Sequence, residues 1–77
     1  MQIHIAKTNG ILWRGEADSL TAPALEGEVT VLKGHVPLAT TLRAGTLLVK
    51  TKGQVVFTHE IERGVLEVTA TSATVLL

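Results

Sequence analysis

Glycines at positions 10, 15, 27, 34, 45, 53 and 64 cut this 77-residue chain into segments too short for stable helices. Between the breaks, apolar residues recur at every second position. Met1, Ile3 and Ile5 alternate with Gln2 and His4, Val29 and Val31 flank Thr30, Leu47 and Val49 flank Leu48, and Leu66 and Val68 flank Glu67. Val55, Phe57 and Ile61 also fall in one phase. A period of two places one set of side chains inward and the other toward water, which is the signature of half-buried strands. The pattern predicts nine short strands at 1–7, 11–15, 17–22, 27–32, 37–42, 46–51, 54–61, 65–70 and 73–77. Short strands joined by turns of a few residues suit an all-β domain: a flattened two-sheet β-sandwich or barrel of about nine to ten mostly antiparallel strands around one core. "GTLLV" and "GVLEV" look alike, but strand register and a preceding break account for both without an internal repeat.

A domain this small buries only about 60% of the surface its unfolded chain exposes, so apolar packing has little to spare. There is no cysteine to add a disulfide or a thiolate metal site. Seven basic and seven acidic residues alternate along the chain, which leaves no basic face for a row of nucleic-acid phosphates. The opening Met1-Gln2-Ile3-His4-Ile5 lacks the charged start and apolar run of a secretory signal, and no apolar run approaches the ~18 residues of a membrane span. These features predict a soluble, intracellular chain.

Catalytic and ligand chemistry finds little footing. His4, His35 and His59 fall on separate strands or turns without the tight local pair that a zinc site needs, and His59 reads as a partly buried ring beside Phe57. Ser19 and Ser72 sit in no strand-to-helix elbow. Glu16, Asp18, Glu26, Glu28, Glu60, Glu62 and Glu67 read as solvated strand faces, because one Trp and one Phe offer little wall for a water-excluding pocket. Gly27 and Gly34 stand too far apart for a phosphate cradle, and no Lys-Ser/Thr follows them. Lys50 and Lys52, flanking Thr51 ahead of Gly53, resemble the modified hairpin of lipoyl and biotinyl carriers, but the acidic and methionine neighbours of such carriers are missing. No catalytic residue, cofactor or metal is expected.

One stretch is more specific. "EGEVTVLKGHVPL" orders Gly27-Glu28-Val29, Val31-Leu32, Gly34-His35 and Pro37-Leu38 in a run where Gly34 can take positive φ and Pro37 holds Val36 extended. This produces a shaped turn suited to display at the end of a rigid slab. The run resembles the signature G-E-(apolar)-x-(I/V)-L-x-G-H-x-P-L of the epsilon subunit of F-type ATP synthases and meets every fixed position. "GILWRGEADSLTAPALEGE" is similar to the family's preceding segment, and "GTLLV", "GVLEV" and "ATVLL" fall where its later strands belong, so the resemblance covers nearly the whole chain. Thr30 and Lys33 replace a common Gly and Pro, and Glu62-Arg63-Gly64 replaces Ser-Gly-Gly.

The resemblance implies a non-catalytic rotor-stalk subunit that docks on the gamma subunit and rests against the polar loops of the c-ring, coupling ion-driven rotation to ATP synthesis. It implies that Glu28 faces the ring loops and that Lys33, Gly34, His35, Pro37 and Leu38 lie near the ring and gamma contacts. It further implies a place peripheral to an energy-transducing membrane, on its cytoplasmic, matrix or stromal side, reached only through the complex, and a monomer when isolated. Most relatives continue into a two-helix carboxy-terminal domain that restrains ATP hydrolysis. With the sequence ending at Leu77, that inhibition is expected to be absent. The alternative is a small β-sandwich module, unrelated to ATP synthase, that captures some other ligand or protein.

Overall fold

A computed structural model describes all residues, Met1–Leu77. Nine strands and no helix form: β1 (Gln2–Lys7), β2 (Gly10–Glu16), β3 (Ser19–Ala24), β4 (Gly27–Leu32), β5 (Leu38–Leu42), β6 (Gly45–Thr51), β7 (Gln54–Ile61), β8 (Gly64–Val68) and β9 (Ser72–Leu76). They make one continuous sheet in the order β2-β1-β9-β8-β5-β3-β6-β7, with β4 on the remaining edge of β3. All pairings are antiparallel except β1 with β9, which runs parallel from Gln2 opposite Ser72 to Ala6 opposite Leu76.

The sheet folds into two layers because β3 changes partners along its length. Ser19–Thr21 pair with β6, whereas Ala24 pairs with Leu42 of β5. Pro23 sits at the changeover. It has no N–H to give a ladder, and its carbonyl accepts the Arg43 N–H at 2.8 Å. One layer is therefore β4-β3-β6-β7 and the other β5-β8-β9-β1-β2. Their far edges close where Trp13 of β2 stacks on Phe57 of β7, with ring centroids 5.9 Å apart.

The core lies between the layers and follows the expected alternation. Ile3, Ile5, Leu20, Leu47, Val49, Leu66 and Val75 are fully buried, and no buried side chain is polar. Val55 departs from it and is half exposed. The β6–β7 register slips between Val49 and Lys50, so Val49 faces Phe57 while Lys50 faces Val55. The extra residue, Val56, makes a bulge that breaks the phase shared by Phe57 and Ile61. β8 also ends before the expected residue 70, because the Thr69 hydroxyl accepts the Ser72 N–H at 3.1 Å and turns the chain early.

The β6–β7 turn holds the one non-glycine residue with positive φ, Lys52 at 52°, followed by Gly53 at 76°. Two successive positive values make a type I′ turn between Thr51 and Gln54. The Asp18 carboxylate steadies it by accepting the Lys52 N–H at 2.6 Å. Lysine pays a steric penalty in this conformation that asparagine largely escapes. Lys52→Asn is expected to raise stability by about 0.5–1 kcal/mol in a denaturant titration, and an unchanged midpoint would show that the Asp18 contact already compensates.

Candidate protein-interaction surface

The Lys33–Pro37 segment links β4 to β5. The His35 N–H donates to the Leu32 carbonyl at 3.0 Å, Gly34 has φ of +80°, and Lys33 has negative φ, which together make a type II turn. Gly34 is the position where that turn needs positive φ, as the sequence predicts. The imidazole of His35 donates from Nδ1 to the Val36 carbonyl at 2.7 Å, leaving Nε2 free. Lys33, Val36 and Pro37 are exposed, and Val36 is 74% accessible, the most exposed large apolar residue of the chain. A stiff, partly apolar corner thus projects from the sandwich with one cation and one ring nitrogen.

Glu28 is not part of that corner. It lies at the start of β4 and the corner follows its end, roughly 16 Å away at the usual rise per strand residue. The structure instead brings Glu28 together with Leu38. Both border a groove of about 610 Å³ between the β3–β4 turn and β5, with half-buried Val29, Leu38 and Thr40 in its lining. Glu26 and Glu28 are the charged residues of this lining, so the groove is acidic and has no cation of its own. The six residues predicted from sequence therefore divide between two neighbouring surfaces, the corner (Lys33, Gly34, His35, Pro37) and the groove (Glu28, Leu38).

Sequence reasoning did not anticipate the groove. Its one legible trace is Pro23 inside the strand run "SLTAPA", since a proline within a strand marks a ladder that ends or changes partner. The histidines remain apart: His4 on β1, His35 in the corner, and His59 on β7 stacked against Phe57 at 6.0 Å. A smaller recess of about 260 Å³ sets Lys7 and Arg63 against Glu60 and Glu62, a balance that favours neither anions nor cations.

The family model of the ATP synthase delta/epsilon chain beta-sandwich domain matches residues 1–77. The ATP synthase epsilon chain of Sulfurimonas denitrificans is 36% identical over 77 residues, covering 100% of this chain and 59% of that protein. Epsilon chain 1 of Methylococcus capsulatus is 33% identical over 76 residues, covering 99% of this chain and 54% of that protein. The chain spans about half the length of these curated relatives. A chain of the Euglena gracilis mitochondrial ATP synthase OSCP/F1/c-ring assembly superposes with a TM-score of 0.86 at 22% identity, over 96% of this chain and 48% of that one. A chain of the Tetrahymena thermophila mitochondrial ATP synthase central stalk and c-ring gives 0.82 at 13% identity, over 99% and 61%. At these identities the two structures speak for the fold.

Proposed function

This chain belongs to the ATP synthase delta/epsilon beta-sandwich family, and on that premise we propose that it is a rotor-stalk part of an F-type ATP synthase, docking on the gamma subunit and the c-ring. The observation that carries this reading is the family match over residues 1–77, within which the run from Gly27 to Leu38 folds as a strand ending in a rigid type II corner. The domain does no chemistry. It is a close-packed slab whose interior has low compressibility, so a load at one surface reaches another with little give. Coupling ion-driven rotation to ATP synthesis requires that stiffness between ring and gamma.

In this arrangement Glu28, with Leu38 beside it, meets a cationic residue of the ring loops, while Lys33, Gly34, His35 and Pro37 supply a second, shaped contact at the corner. The chain has no helix long and apolar enough to cross a membrane, and in this reading it meets the membrane only through the complex, on the cytoplasmic, matrix or stromal side. An exposed ion pair is worth up to about 1 kcal/mol, a factor of about five in affinity. Glu28→Lys should therefore weaken assembly with a c-ring by about fivefold or more, because repulsion is added to the lost attraction. Gamma binding tests the reading as a whole: purified chain should co-elute with a gamma subunit. Failure to do so, with retention of an unrelated ligand, would favour a general β-sandwich binding module.

A further inference from the structure

The groove between the β3–β4 turn and β5 is bordered by an edge of β5 whose main-chain groups have no ladder partner, and the register shows which groups these are. The Pro23 carbonyl turns toward Arg43, so Pro23 and Glu28 form a pair that exchanges no hydrogen bonds across β3–β4. The N–H and C=O of Glu28 accordingly point away from β3, on the side opposite to the edge that β5 joins. On the other side the Thr41 carbonyl accepts the Leu25 N–H at 3.2 Å, so Thr41 presents its main chain on the edge away from β8. Ala39, two residues earlier, presents its N–H and C=O on that same edge. β3 would have covered them had it continued, but the chain turns at Leu25–Glu26. β4 pairs only with β3, and beyond the Ala24–Leu42 contact β5 pairs only with β8.

The geometry points to strand addition: an extended, basic segment of a partner polypeptide lies in this groove and pairs with the free edge of β5 at Ala39. Main-chain hydrogen bonds supply the affinity of such a mode, and pockets for alternate side chains supply its selectivity. Here one face of the guest rests on half-buried Val29, Leu38 and Thr40, which favours β-branched residues. Its basic residues meet Glu26 and Glu28, the charged residues of the lining, neither of which has an ion-pair partner within the chain. An exposed, unpaired edge is otherwise a template for aggregation, and a guest removes it. This goes beyond the Glu28 side-chain contact proposed above, since it names a main-chain edge and the chemistry of the segment that fills it.

The test uses the chain with a blocked peptide of about eight residues alternating lysine and valine, long enough to span β5. Binding should slow amide hydrogen exchange at Ala39 by about tenfold or more, while a glutamate–valine peptide of the same length should produce no such protection. Ala39→Pro should weaken binding by about tenfold or more and leave the melting temperature near that of the parent. The lost N–H faces the groove rather than β8, and proline is tolerated on such an edge. The proposal is overturned if the lysine–valine peptide gives no protection at this amide, or if the glutamate–valine peptide protects it equally. It is also overturned if a folded Ala39→Pro chain binds undiminished, or if the edge is taken by a second copy of the chain in a concentration-dependent dimer. Should Ala39→Pro unfold, the exchange result on the parent chain decides alone.

Discussion

Leu20→Ala is expected to cost about 2–5 kcal/mol, the range for removing a large aliphatic side chain from a packed core. Leu20 is fully buried at the middle of the molecule, opposite Val31 of β4 on one side and Val49 of β6 on the other. Both neighbours are themselves fully buried, so the lost side chain leaves a cavity between strands held in register by their ladders. A domain of this length has about 4–12 kcal/mol of total stability, and a midpoint drop on the order of 10–30 °C follows from the usual conversion for domains of this size. The upper part of the range leaves the chain largely unfolded at physiological temperature. Thermal and denaturant unfolding of the variant measures this directly, and a loss below about 1 kcal/mol would mean that the layers collapse onto the gap.

Gly64→Ala should destabilise by about 1–3 kcal/mol, against the usual gain of about 0.4–1 kcal/mol when alanine replaces a compatible glycine. The backbone at Gly64 is one any residue can adopt, so backbone conformation does not decide the sign. Space does. A Cβ there would stand 2.8 Å from the Leu76 carbonyl oxygen and 2.8 Å from Leu77 Cδ2. The leucine tip can swing aside, but the oxygen belongs to β9, whose Leu76 is paired with Val65 and Ala6 on its two sides. Relief requires moving a strand. Denaturant midpoints of the two chains check this, and a Gly64→Ala chain as stable as its parent would show that β9 shifts freely at its end.

The same crowding revises how two glycines are read from sequence. In "GTLLV" and "GVLEV" they look like punctuation before a strand. In the fold Gly45 and Gly64 each open a strand whose next inward residues, Leu47 with Val49 and Leu66 with Val68, enter the core. Both glycines are fixed by a close neighbour: for Gly45 it is the Pro23 ring, whose Cβ lies 2.8 Å from where a side chain would begin. No local pattern records such a contact, because its partner is 22 residues earlier in the chain. Gly34 differs. Its freedom to take positive φ, in a turn that Pro37 closes, was legible from "KGHVP" alone.

The residue order from Gly27 to Leu38 carried the family resemblance, and period-two alternation carried the strands, since both are local. An inward set such as Ile3 and Ile5 stays inward wherever its strand is placed, because a strand sends successive side chains to opposite faces. The all-β class, the nine strands and a sharp turn at Gly34 thus followed from the chain itself, and the structure made that turn type II. Only the tertiary structure decided that β1 runs parallel to β9, that β3 serves both layers, and that a bulge at Val56 turns Val55 toward water. It also set Glu28 apart from His35 and beside Leu38 in the lining of a groove that leaves an edge of β5 unpaired. These are outcomes of long-range pairing, in which a strand's neighbour is chosen by how all the layers close around one core.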